Sequence, residues 1–355
     1  MITASGAKHD SVAHLNFIVN AYSNESGKLA ITSQRVNVDG QISLVGSESG
    51  GTASQVKIVQ VGFSSEFVVG ASSANGSLKL MTVDMANSGS LERQGSIYGP
   101  NVTNLAMASL APAGISKGIV TASKLRNGTL QLDSWKVYRH SDTDQLTVEH
   151  RDTVSEGLVS TIAVTALDHG RNPGEVDSFR GVVAAVRDVN QNLKVLAYSL
   201  SDTLQFTKTG EDIGGGVGNI ELETVRLSTQ RKAVIAAAQT DGGNLKMISY
   251  GVNAAGQIDR LDAVDAGASS HIALAGVNRN HVTTGLRSAN DNHLRVLTWS
   301  ISKAGKINRV GSVKGDLTTG VAAATAIVGA ETFVVTSSRT PFGQWQYITW
   351  HANVP

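Results

Sequence analysis

Four cations recur at one place in this chain. Lys124, Arg187, Arg287 and Arg339 each stand six or seven residues before a stretch led by Leu or Trp. A second polar series, His14, Gln55, Asn104, Thr161, Asn219 and His271, stands near the start of short apolar runs. Guanidinium and ammonium groups donate charge-assisted hydrogen bonds to carboxylates and phosphates, and amides and imidazoles serve hydroxyls. Converging on one rim, these side chains would bind a small polar or acidic ligand or a glycan. The competing reading is a solvated strand end, which has to be polar in any case.

A second cluster holds His140, Asp142, Asp144, Asp168, His169, Arg171, Glu175 and Asp177. Histidine beside carboxylates can ligate a metal or move protons. No spacing here matches a metal motif, so neither metal nor cofactor is expected, and a tolerated loop insertion explains the cluster equally. The aromatics Trp135, Tyr198, Tyr250, Trp299 and Trp350 sit at one fixed place in a repeated stretch, which predicts packing rather than sugar stacking. Phe342 and Trp345 depart from that pattern and could form an exposed aromatic patch. Nucleophile elbows, P-loops, dinucleotide fingerprints and HExxH motifs are absent.

The elements that must carry these residues follow from an internal repeat. The motif is Leu, any residue, aliphatic, two residues, a large residue, any residue, aliphatic. Copies begin at Leu29, Leu78, Leu130, Leu193, Leu245, Leu294 and Trp345, with spacings of 49, 52, 63, 52, 49 and 51 residues. The fifth position is always small: Ser33, Thr82, Ser134, Ala197, Ser249, Thr298 and Thr349. A strand that is apolar or small on both faces is predicted to be buried between two neighbours. Turns such as Asn75-Gly76 and Asn127-Gly128 precede the motif, and Asn-Gly marks a tight hairpin. Two further short strands complete about 50 residues: four antiparallel strands per repeat. The third repeat is 63 − 52 = 11 residues longer than its neighbour, with the excess in longer loops within residues 138–180.

The last motif ends near Pro355 with no room for a fourth strand. Ile2–Gly6 has the shape of that missing strand, and its pairing there would cover an aggregation-prone edge. The expectation is an all-β, seven-bladed β-propeller, a single domain over residues 1–355, with the N-terminal strand completing the last blade. The chain resembles the seven-bladed β-propeller superfamily over its full length, and more loosely the multivalent propeller lectins and uncharacterised bacterial propeller repeats. The resemblance implies fold and carries no site residue by residue.

Composition agrees: 37 glycines, 5 prolines and 41% hydrophobic residues suit short strands and tight turns. A net charge of +1 offers no global attraction to nucleic acid or membrane, and zero cysteines exclude disulfides and thiolate chemistry. No apolar run is long enough to span a membrane. The first ten residues lack a signal-peptide pattern, and the compartment stays open between cytoplasm and secretion with a removed signal. N-x-S/T sequons begin at Asn24, Asn75, Asn101 and Asn127. The functional expectation is a non-enzymatic binding propeller, lectin-like or a protein-interaction scaffold. The alternative is a hydrolase or lyase with His14 and His271 working together at one channel mouth.

Overall fold

The computed structural model describes residues 9–24, 26–62, 64–110, 117–167, 179–228, 232–328, 331–342 and 345–352. Among them every regular element is a β-strand, every strand pairing is antiparallel, and no helix is long and apolar enough to cross a membrane. The first unit comprises β1 (His9–His14), β2 (Phe17–Ser23), β3 (Lys28–Val36) and β4 (Ile42–Thr52). There follow β5 (Val56–Gln60), β6 (Glu66–Ser72), β7 (Ser77–Met85), β8 (Leu91–Leu110), β9 (Gly118–Leu125), β10 (Thr129–Arg139), β11 (Leu146–Ala166) and β12 (Gly181–Asp188). Next come β13 (Asn192–Leu200), β14 (Phe206–Arg226), β15 (Lys232–Thr240), β16 (Asn244–Val252), β17 (Ile258–Asn278) and β18 (His281–Ser288). The chain ends with β19 (His293–Ile301), β20 (Ile307–Leu317), β21 (Gly320–Val328), β22 (Glu331–Arg339) and β23 (Trp345–His351).

The repeated motif forms the third strand of each unit: β3, β7, β10, β13, β16, β19 and β23. Successive units are often joined by no loop at all. β8, β11, β14 and β17 each run 20 or 21 residues and serve two units in turn. The first half of β8 pairs with β7 and the second half with β9, the change falling between Asn101 and Val102. Hydrogen bonding therefore orders the strands as sheets of four, sixteen and three. The last sheet, β21-β22-β23, shows no fourth strand among the described residues, and Ile2–Gly6 lies outside them.

Each apolar core lies between two successive units. Leu130 and Leu132 of β10 meet Leu196 and Tyr198 of β13, and Val195 of β13 meets Ile248 and Tyr250 of β16. One core joins the ends of the chain, with Ile18 and Val36 against Ala326, Phe333 and Val335.

The small fifth motif position has a specific use beyond fitting a tight space. Its hydroxyl donates to a main-chain carbonyl in or beside the turn before the outer strand of the next unit. Ser33 donates to Gly89, Thr82 to Leu146 (2.9 Å), Ser134 to Leu204 (2.6 Å) and Ser249 to Gly305 (2.6 Å). Ala197 has no hydroxyl, and Thr209 supplies one to Gly256 instead (3.1 Å). Thr349 makes the same bond to Gly40 at 2.8 Å, from the last unit to the first. Gly40 has φ +78°, and a Cβ there would come within 3.2 Å of Thr349 Oγ1. Glycine thus serves both the turn and the close approach.

Candidate functional site

The first strand of each unit lies innermost. β1 packs against β5 on one side and β21 on the other, and the inner halves of β8, β11, β14 and β17 follow one another between them. Pairing registers align these strands residue by residue. Asp10, Lys57, Ala106, Ala163, Glu221, Ala273 and Ala322 all occupy one level. Two residues further along stand Val12, Val59, Ala108, Thr165, Glu223, Ala275 and Ala324. Alanine at half of these positions leaves room, and four charged side chains use it. Asp10, Lys57, Glu221 and Glu223 line a cavity of about 420 Å³ in this channel.

Lys57 Nζ lies 3.9 Å from Asp10 Oδ1, and Asp10 Oδ2 accepts the Ile58 N–H at 2.9 Å. Asp10's charge, aided by Glu221, raises the Lys57 ammonium above its ordinary value against the opposing effect of burial. Burial raises the carboxyls of Asp10 and Glu221, and Lys57 offsets part of each shift. Glu223 is pushed up to about 7 by burial, with the backbone N–H groups of Thr224 and Gly276 opposing. No cation among the described residues stands beside it, and its Oε1 accepts the Thr224 N–H at 3.0 Å. Sequence reasoning passed over these four. Their signal was a charge at an inner-strand position that other repeats fill with Ala, Val or Thr.

The predicted rim falls at the channel end where the inner strands begin. Register sets Asn104 opposite Lys124, Thr161 opposite Arg187, His271 opposite Arg287 and Gly320 opposite Arg339. Several of these groups are already engaged. Gln55 donates to Thr103 O across a unit boundary (3.2 Å), and Asn219 donates to Gln239 Oε1 (3.1 Å). Arg187 and Arg287 reach back to Gln191 and Asn292 in their own hairpins, each leaving a buried Nε–H without an acceptor. Desolvation and then the charge of Arg287 hold the His271 imidazole below its ordinary value.

His14 is placed differently from the expectation. It ends β1, opposite Phe17, at the far end of the channel from His271, with Nδ1 2.6 Å from Gln60 Nε2. β1 is polar at both ends, and its register with β2 puts the His14 end away from the rim. The corresponding rim position of the first unit falls before His9, outside the described residues.

Of the secondary cluster, His140 lies exposed in a turn, its Nδ1 accepting the Asp142 N–H at 3.4 Å, while Asp168 and His169 lie outside the described residues. That turn borders a cleft of about 260 Å³ between two units, lined by Thr82, Gly95, Ser96, Gln145 and Thr147 among others. Among the described residues no group of three or more His, Asp or Glu is arranged to hold a metal ion. Phe342 is 91% exposed, and Trp345 begins β23. Trp135, Tyr198, Tyr250 and Trp299 are buried between units, and the Trp135 and Trp299 indoles donate to Thr121 and Thr284 (3.0 Å each). Trp350 repeats this with Thr336 at 2.8 Å.

The chain shares the fold of propeller lectins. A protein from Lactobacillus plantarum matches with a TM-score of 0.53 and 11% identity over 97% of this chain and 95% of that one. A variant of the Aleuria aurantia lectin in complex with Fucα1-6GlcNAc matches with a TM-score of 0.52 and 12% identity, over 98% and 92%. The SapL1 lectin in complex with α-methyl fucoside gives 0.51 and 12%, over 91% and 97%. No family model matches the sequence, and no curated protein does.

Proposed function

We propose that this chain is a seven-bladed propeller, its last blade completed by Ile2–Gly6 beside β23, that acts as a non-enzymatic, lectin-like binder of glycans. The observation that carries this reading is the likeness, over nearly the whole chain, to lectins seen with fucosides bound. The bond from Thr349 to Gly40 and the core shared by the end units support ring closure. The cationic rim supports recognition of hydroxyl and acidic groups, with Arg287, Arg339, Lys124 and His271 as contacts. The pairing of His14 with His271 that the hydrolase or lyase alternative used is not formed, because the two stand at opposite ends of the channel.

Glycan-array screening of the purified protein tests the reading, followed by titration of the best sugar and of α-methyl fucoside. At least one glycan is expected to bind, and changing Arg287 and Arg339 together to Ala is expected to weaken it more than tenfold. An array without any bound glycan refutes the lectin reading. Unchanged affinity in the double variant refutes the rim and points to the cleft beside Gln145.

A further inference from the structure

We propose that the channel binds a small linear organic dication, one ammonium group at Glu223 and the other at the level of Asp10 and Glu221. This site is separate from the glycan reading and does not rest on it.

The charge balance motivates the proposal. The channel sets three carboxyl groups against one ammonium, and that ammonium is already shared between Asp10 and Glu221. Glu221 lines the cavity and receives no hydrogen bond from any described residue. Glu223, from the same strand, has only backbone N–H partners among the described residues. Glu221 and Glu223 are half-buried, and a carboxylate withdrawn from water without a partner favours keeping a proton or meeting a cation. Neutralisation by a cation would return the three carboxyls toward their ordinary acidity.

The shape selects the kind of cation. No three acidic or imidazole groups among the described residues converge on one point, so a single metal ion is poorly served. Glu221 and Glu223 are two residues apart on one face of a strand, which separates them by about 7 Å. A four-carbon diamine has nearly that spacing between its nitrogens. The cavity, about 420 Å³, is ample for such a molecule. Its walls include Ala106, Ala108, Ala163 and Val59, which suit a methylene chain, with Thr165 at the level of Glu223.

Titration calorimetry at pH 8 and low salt would compare butane-1,4-diamine with butan-1-amine and butane-1,4-diol. The diamine is expected to bind at least tenfold more tightly than the monoamine, and the diol not at all. Glu221→Gln and Glu223→Gln, both near-isosteric, should each weaken the diamine at least fivefold while circular dichroism and melting confirm the fold. Absence of diamine binding, equal binding of the diol, or undiminished affinity in both variants would overturn the proposal. Glycan binding on the same samples should be untouched by either variant, so the two readings fail separately.

Discussion

Replacing Glu223 with Gln should make the protein more stable at alkaline pH and leave it nearly unchanged in acid. The folded carboxyl is the weaker acid, about 7 against an ordinary 4.5. Between those values the folded state keeps a proton that the unfolded state has lost, so stability falls as pH rises through the window. The shift corresponds to at most about 3 kcal/mol at pH 8. Gln keeps an acceptor for the Thr224 N–H and carries no charge, so it removes the penalty and keeps the contact. Asp10 from β1, Lys57 from β5 and Glu221 from β14 titrate in the same channel, and His14 approaches through Gln60. They remain in both proteins, so the difference between parent and variant isolates Glu223. Urea titrations at pH 4.5, 6, 7 and 8 should show the two curves together at the lowest pH and diverging above it. A constant difference across that series would refute the claim that burial of Glu223 is felt as a charge penalty.

Thr349→Val removes the hydroxyl that ties the last unit to the first, at a cost of about 1 kcal/mol, read as a lower melting temperature. Ser134→Ala, which removes the equivalent bond inside the chain, should cost a similar amount. Glu66→Gln disrupts a buried carboxylate held by Lys117 (2.5 Å) and Arg139 (2.9 Å), for about 2 kcal/mol after allowing for the part-exposed cations. Burial pushes the Glu66 carboxyl up, but Lys117, Ser64 and Arg139 together hold it below its ordinary value of 4.5. Its contribution is therefore present above about pH 4.5 and lost in acid, and parent and variant should converge there. Deleting residues 1–8 should lower the melting temperature and promote oligomers through the edge of β23, checked by light scattering. An unchanged melt would argue against closure by that segment.

Much of the architecture was legible because the motif repeats its spacing. Every copy forms a third strand, and the Asn-Gly turns at Gly76 and Gly128 adopt the positive φ that they advertise. The small fifth position signalled two-sided burial, but the hydroxyl bridge behind it was not readable, since its partner is a backbone carbonyl about 55 to 70 residues away in most units. The rim was partly legible. The register of Lys124, Arg187, Arg287 and Arg339 follows from repeat position, yet the capture of Arg187 by Gln191 depends on hairpin geometry. His14 went astray because β1 reads His-Asp-Ser-Val-Ala-His, polar at both ends, so either end fits the alignment. The channel charges escaped notice because Glu221-Leu222-Glu223-Thr224 alternates like a half-exposed strand. Only the packing of successive inner strands side by side brings that polar face onto a shared cavity.

Four strands that each serve two units give this molecule an uneven skeleton. From β5 to β20 the backbone passes from one unit to the next inside unbroken hydrogen-bonded ribbons, as the sixteen-stranded sheet records. On either side of that arc the ribbon is interrupted, between Thr52 and Val56 and between Leu317 and Gly320. Under tension or swelling, those two interruptions are where the hydrogen-bonded sheet gives way first. The middle would behave as one stiff arc, with the first and last units as its hinged clasp.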